Sequence, residues 1–138
     1  MYIGTSINES PVIAAQAGQA ITGGALLAVA MSSTGVKVVS TAGDVALGLL
    51  IPETDDVKTG DTVTVQIKDM GLWKVGAAVA AGDLLASDAT GKAVKATAGN
   101  YILGQALEAA TAAGQVIHVQ IIKAGYVPTT TASGGGNG

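Results

Sequence analysis

The sequence predicts an all-β fold, either a compact barrel or a sandwich, and three observations lead to this prediction. Segments rich in Val, Ile and Leu recur about every ten residues, and glycine-containing turns separate them. The segment 62–67 alternates apolar and polar residues, which is the period of a strand with one face on a core. The chain also repeats itself once, and both copies carry the same order of glycines and apolar residues.

The composition sets the character of the core. A chain of 138 residues fits one domain. Hydrophobic residues make up 49% of it, but there is no Phe, one Trp and three Tyr, so the core must be built from small and branched side chains. Burial stabilises by about 25 cal/mol per Å² of apolar area, and alanine has little area to bury. Partner chains would be a natural source of extra burial.

Charge and residue types exclude several classes of function. The absence of cysteine removes disulfides, thiolate catalysis and cysteine-ligated metals. Seven basic residues against ten acidic ones give a net charge of −3, so nucleic acid is not expected as a partner. No apolar run approaches about 18 residues and no basic-then-apolar leader opens the chain, so neither a membrane partner nor a secretion signal is expected.

The internal repeat covers residues 23–67 and 81–121. Short motifs occur in the same order in both segments. The matched pairs are residues 24–28 with 82–86, 34–35 with 90–91, 41–43 with 97–99, 47–48 with 103–104, and 60–67 with 114–121. Two similar halves are expected to pair around a pseudo-twofold axis.

Each repeat is predicted to form short strands joined by glycine turns. In the first repeat the strands cover residues 26–31, 36–40, 46–51 and 62–68. The alanine-rich segment 107–113 fits a short helical turn, but its counterpart 52–59 contains Pro52 and two Asp, so a loop is favoured in both. A short helix at 75–81 is an equal alternative.

The chain is expected to have three parts. Residues 1–16 read as an extended N-terminal arm with apolar residues among polar ones, divided by Pro11. Residues 17–127 form the single β domain. Residues 128–138 are rich in Thr, Ser and Gly and bury too little to repay the entropy of ordering, so a disordered, flexible tail is predicted.

Residues for chemistry are scarce. His118, the one histidine, alternates with Ile117 and Val119 on a strand, and its solvent-facing position favours no metal site. No serine lies in a nucleophile-elbow pattern, and the acidic residues near position 55 match no calcium loop. An enzyme would require acids such as Asp83 and Glu108 to meet with raised pKa values. No catalytic residue, metal or cofactor is therefore predicted.

Trp73 is the one large aromatic surface in the sequence. It lies in the segment 70–75, between the two repeats rather than inside either. An unduplicated Trp next to Leu72 either plugs one end of the barrel or anchors a subunit interface, where Trp is enriched.

Three segments carry a family resemblance. They are Ala-Gly-Asp-Leu-Leu at 81–85, Leu-Gly-Gln-Ala-Leu-Glu-Ala-Ala at 103–110 and Gly-Gln-Val-Ile-His-Val-Gln-Ile at 114–121. This pattern resembles the capsid cement, or head decoration, proteins of tailed bacteriophages. The resemblance covers about residues 15–123 and rests on the regular spacing of small residues and predicted strands.

The resemblance implies a non-enzymatic structural protein of the virion. It implies a β-barrel-like subunit, often a homotrimer, made in the bacterial host cytoplasm and bound to the outer capsid surface. There it would clamp neighbouring subunits of the major capsid protein and stabilise the head. The extended arm would supply the contacts, through Tyr2, Ile3, Ile7, Pro11 and Val12, by pairing with an exposed sheet edge of the shell.

Two other non-enzymatic functions compete with this one. A phage head-fibre or tail-associated β module uses similar small-residue β repeats, usually with longer repetitive stretches. A sugar-binding β module would require several exposed aromatics around a concave pocket, and one Trp and three Tyr make this weak.

Overall fold

The computed structural model describes residues 10–22, 26–51, 54 and 56–129, and in these ranges the chain is all-β, as predicted. The strands are β1 (Val12–Gln16), β2 (Ile21–Thr22), β3 (Ala28–Ser32), β4 (Gly35–Val38), β5 (Gly48–Ile51), β6 (Asp56–Val57), β7 (Thr62–Gln66), β8 (Asp69–Lys74), β9 (Leu84–Ser87), β10 (Ala93–Lys95), β11 (Tyr101–Ala106) and β12 (Val116–Tyr126). No helix occurs in these ranges, so the alternative of a helix at 75–81 is wrong. The loop favoured at 107–113 is confirmed.

Two five-stranded sheets have the same strand order. The first sheet runs β1-β7-β5-β3-β4, and the second runs β8-β12-β11-β9-β10. In each sheet the outer strands meet only at a single parallel bridge, Ala17 with Val36 in the first and Val75 with Ala93 in the second. The sheets therefore curl without closing into a barrel, and the arrangement is sandwich-like. Residues 12–66 are called the first unit below, and residues 69–127 the second unit.

The strand that precedes each predicted repeat completes its sheet. β1 pairs with β7 along its whole length, although residues 12–16 were predicted to belong to the arm. β8 pairs with β12 over six residue pairs, although its residues were predicted to lie between the repeats. Both strands are short and contain small residues, so their membership depends on long-range pairing rather than on local pattern. The remaining predicted arm residues up to Glu9 lie outside the described residues, as does the predicted tail beyond Thr129.

The backbone hydrogen bonds correct one of the sequence matches. Leu26 N–H donates to Leu50 O, and Gly82 N–H donates to Ala106 O, so Leu26 corresponds to Gly82. The sequence match had paired Leu26 with Leu84, two residues further on. Leu26 and Gly82 both have positive φ, 71° and 91°. The two Leu-Leu pairs therefore occupy different backbone positions in the two units, and the positive-φ turn at Leu26 and Gly82 is the feature that the units share.

The core divides into two clusters. One is centred on the second unit and includes Trp73, Leu85 and Leu103, together with residues of the first unit such as Leu49. The other lies within the first unit and includes Val29, Leu50 and Val65. The alternation predicted for the last strand of each unit is confirmed. Its buried residues are Val63, Val65, Ile117, Val119 and Ile121.

The two units contact each other head to tail. Ala28 N–H donates to Gly91 O (2.7 Å), and Gly43 N–H donates to Ser87 O (2.8 Å). A twofold axis would repeat each bond with the units exchanged, so Gly99, the counterpart of Gly43, would bond to the first unit. Gly99 N–H instead donates to Val127 O in its own unit. The predicted pseudo-twofold pairing is therefore wrong.

Candidate functional site

The predicted capsid-binding residues are placed by the structure at one edge or outside the described ranges. Tyr2, Ile3 and Ile7 lie outside the described residues. Pro11 is exposed, and its carbonyl accepts the Ile67 N–H at 2.8 Å. Val12 is half-buried and opens β1, paired with Gln66. The described part of the predicted site is therefore the start of an edge strand.

The outer edge of β1 carries backbone groups that face away from β7. Pro11 O and Ala17 N–H bond toward the β7 side, to Ile67 and Asp61, so the odd-numbered residues face β7. The even-numbered residues Ala14 and Gln16 then direct their N–H and C=O groups to the other edge. At Gln16 this edge meets β4 through the Ala17–Val36 bridge, whereas Ala14 is exposed and no strand pairs with it on that side in the described ranges. Such an edge is a template for another chain in an extended conformation.

The structure separates Leu72 and Trp73. Trp73 is fully buried, and its indole N–H donates to Gly91 O at 2.9 Å. Leu72 lies on the opposite face of β8 and is 42% exposed. Trp73 therefore fills the core between the units, and only Leu72 of the pair offers surface to a partner.

An apolar groove beside β8 was missed by the sequence reasoning. Its volume is about 450 Å³, and its walls are Leu26, Leu49, Leu50, Ile51, Gln66, Met70, Gly71 and Leu72. The Gln66 side-chain amide donates to Lys68 O (3.0 Å) and Met70 O (2.6 Å), which fixes one end of the groove. The signal in the sequence is the pair of large apolar residues on either side of Gly71. Met70 and Leu72 are exposed on one face of β8, and Gly71 is buried on the other. The strand β8 had to be recognised before that signal could be read.

One ionisable pair lies on the outer face of the second unit. Glu108 Oε2 accepts hydrogen bonds from the His118 backbone N–H (2.8 Å) and from its Nδ1 (2.6 Å). These bonds, the backbone one foremost, hold the pKa of Glu108 below its ordinary value. His118 is solvent-facing, as predicted, with 58% of its side chain exposed. A single exposed ion pair of this kind contributes little to stability.

The requirements of an enzyme are not met by the acids that the sequence singled out. Glu108 is engaged by His118, and its pKa is lowered rather than raised. Asp83 caps a turn instead, with Oδ2 accepting the Ala80 N–H at 2.9 Å. Among the described residues, no group of three or more His, Asp or Glu side chains is arranged to hold a metal ion.

In the part of the chain that the structure describes, no helix is long and apolar enough to cross a bilayer.

A family model shows to which family the chain belongs. The model of the phage cement proteins matches residues 8–121, which covers most of the chain and nearly all of both units. The chain therefore belongs to the phage cement protein family, as its sequence pattern indicated. Its role is that of a capsid-associated structural protein of a bacteriophage.

A solved structure has the same fold. The crystal structure of the N base of the head fiber gp8.5 of bacteriophage phi29 superposes with a TM-score of 0.60 at 20% sequence identity. The match covers 83% of this chain and 95% of that chain. At this identity the likeness shows a shared fold. No curated protein sequence matches the chain.

Proposed function

We propose that this chain is a non-enzymatic cement protein that binds the outer surface of a phage head and clamps neighbouring major capsid subunits. The family match over residues 8–121 is the observation that carries the proposal. The protein would act on the assembled virion after synthesis in the bacterial cytoplasm. The proposal assigns no cofactor, and its partner is the shell itself.

The free edge of β1 supports a specific mode of binding. Ala14 presents a backbone donor and an acceptor on this edge, close in sequence to the predicted arm residues Pro11 and Val12. Backbone pairing at a sheet edge gives affinity without large side chains, which suits a chain with one Trp and no Phe. We therefore place the capsid contact at the predicted arm together with the β1 edge.

Oligomerisation would strengthen such a contact. We propose a homotrimer, in which three modest contacts act together and raise the effective concentration of each. The small side chains of the core support this proposal, because burial against other copies adds apolar area that one chain cannot supply alone.

Co-sedimentation with expanded, undecorated capsids of the phage that encodes the chain tests the proposal. The full chain is expected to bind saturably, and deletion of residues 1–9 is expected to abolish binding. Ala14→Pro removes an edge N–H without breaking the β1–β7 ladder and is expected to weaken binding at least tenfold. Leu107→Ser, on an exposed residue of the second unit, is the matched control and should bind like the full chain.

The outcomes separate the parts of the proposal. Saturable binding that survives both changes would keep the cement function and move the contact to another surface. Failure of the full chain to bind its own shell would overturn the cement function.

A second candidate is supported by the phi29 structure. Because the fold matches the base of a head fiber over 95% of that base, this chain could serve as the capsid-bound base of a fibre built from another protein. Cryo-electron microscopy of decorated heads distinguishes the two. Cement alone ends at a compact knob, whereas a fibre base continues into a shaft.

A further inference from the structure

The two units are joined by a turn of the first unit that fits between two strands of the second. Gly43 N–H donates to Ser87 O in β9 (2.8 Å), and Tyr101 N–H in β11 donates to Gly43 O (2.9 Å). A Cβ on Gly43 would collide with the side-chain amide of Asn100, so the turn is held closely on this side as well. The turn therefore lies in a socket between Ser87, at the end of β9, and Tyr101, at the start of β11.

The second unit carries the same turn. Residues 41–44 read Thr-Ala-Gly-Asp, and residues 97–100 read Thr-Ala-Gly-Asn. Each is closed by a bond from its last N–H to its first carbonyl, at 3.1 and 3.0 Å, and φ is 81° at Gly43 and 83° at Gly99. The two turns are therefore equivalent in sequence and in backbone shape.

The second turn is covered by the end of its own chain. Gly99 N–H donates to Val127 O (2.9 Å), and Val127 N–H donates to Asn100 O (2.8 Å). Val127 O thus takes the place on the second turn that Ser87 O takes on the first. The bond from Gly43 to Ser87 joins the two units, whereas the equivalent bond from Gly99 to Val127 stays within the second unit.

The covering segment has no counterpart in the first unit. β7 has five residues, whereas β12 has eleven. The extra length of β12 pairs with the start of β11, Tyr126 with Tyr101 and Gly125 with Ile102. Beneath it Ile102 is only 7% exposed. Its counterpart Ala46, two residues before the matching glycine, is buried in the core cluster shared with the second unit. On the second unit, the extension therefore covers the surface equivalent to the one through which the first unit contacts the second.

Among the described residues, no turn occupies the equivalent socket of the first unit. Met31 and Val45 of the first unit correspond to Ser87 and Tyr101, and they are 59% and 50% exposed. Between them lies a cleft of about 280 Å³. Its walls are Ala30, Met31, Val45, Ala46, Leu47, Tyr101 and Lys123. Met31 and Val45 are exposed apolar residues at the positions equivalent to a buried contact, so the cleft between them suits the same type of turn.

We infer that residues 124–127 are a cap that hides a binding surface for a second copy of this chain. Without the cap, the turn 97–100 of one copy enters the cleft between Met31 and Val45 of the next. Such a contact is head to tail, so it builds a ring where the rotation closes and an open chain where it does not. Repeat proteins use distinct terminal elements to prevent growth of this kind. The inference goes beyond the proposed cement function and does not depend on it.

Mass measurements on truncated chains test the inference. A chain ending at Lys123 keeps the pairing of β12 with β8 and the walls of the cleft but lacks the cap, and it is expected to form larger species whose mass rises with concentration in light scattering. A chain ending at Thr129 keeps the cap and is the matched control, with the mass per particle of the full chain. Met31→Glu places a charge in the cleft and is expected to return the chain ending at Lys123 to the mass of the control. A peptide of residues 121–129 added in excess is expected to do the same by restoring the cap in trans.

Three results of these mass measurements would overturn the inference. One is a chain ending at Lys123 that is folded by circular dichroism and has the mass of the control at all concentrations. Another is growth that persists with Met31→Glu, because it would then be unspecific association of the uncovered Ile102. The third is a lower mass for the full chain carrying Met31→Glu, because the cleft would then already be occupied while the cap is in place. If the chain ending at Lys123 fails to fold, hydrogen exchange decides with the full chain: the inference requires the Gly99 amide to be protected, and rapid exchange there would refute a cap.

Discussion

The two units share a strand order but differ in how their buried residues are packed. Among the described residues, the cluster around the second unit contains 15 buried residues, four of them from the first unit, whereas the cluster within the first unit contains eight. Trp73 in β8 lies opposite Ile117, and the same place in β1 is taken by Ala15 opposite Val63. The topology is thus compatible with very different packing. The second unit supplies the main core, and the first unit packs part of its own apolar surface into it.

Replacing Trp73 tests this asymmetry most severely. Trp73→Ala is expected to lower the free energy of unfolding by about 3–5 kcal/mol, because it leaves a cavity where the two units meet and removes the donor to Gly91 O. Denaturant unfolding followed by far-ultraviolet circular dichroism measures the loss. Leu72→Ala is the matched control on the neighbouring, 42% exposed residue, and it is expected to cost less than about 1 kcal/mol. Equal losses for the two variants would contradict a core centred on the second unit.

The all-β class could be predicted because its signals are local. Glycine turns and the alternation in residues 62–67 and 116–121 depend only on near neighbours in sequence. The membership of β1 and β8 could not be predicted, because each is a short strand whose place is fixed by a partner about 50 residues away. The same holds for the burial of Trp73, which lies on the inner face of a strand that the sequence pattern did not reveal.

The candidate site shows the same limit. Pro11 and Val12 could be found by their position near the N-terminus, but the free edge at Ala14 follows from which strand β1 pairs with. The cap could not be foreseen, because residues 124–127 carry no motif and their role is visible only by comparison with the first unit. Head-to-tail pairing of the units likewise depends on hydrogen bonds between distant turns rather than on the repeat itself.

A smaller difference between the units concerns one backbone position. Leu26 has φ 71°, and its counterpart Gly82 has φ 91°. A side chain in this region costs about 1–2 kcal/mol, whereas glycine adopts it freely. Gly82→Ala is expected to destabilise the chain by about 1 kcal/mol through backbone strain alone, because no atom lies within 4 Å of the added Cβ. Thermal or denaturant unfolding measures the change.

The reverse exchange sharpens this test. Leu26→Gly relieves the backbone strain at this position. It also removes a side chain from the groove beside β8 and raises the conformational entropy of the unfolded chain, both of which destabilise the fold. The net change in the free energy of unfolding is therefore expected to be near zero. A large loss on Leu26→Gly together with no loss on Gly82→Ala would show that the two positions are not equivalent.

The smallest expected effect belongs to the bond between Glu108 and His118 in the second unit. Because His118 lowers the folded-state pKa of Glu108, folding is favoured by the ionised carboxylate. This contribution is present above the unfolded pKa of glutamate, about 4.3, and is lost as the pH falls through the lower folded value. Glu108→Gln should therefore unfold more easily than the parent chain near neutral pH, and the difference should shrink below about pH 4. His118→Asn keeps the backbone N–H, which is the larger cause of the shift, so the pKa of Glu108 measured by NMR titration should stay below its ordinary value. An ordinary Glu108 pKa in the parent chain would show that the bond does not persist in solution.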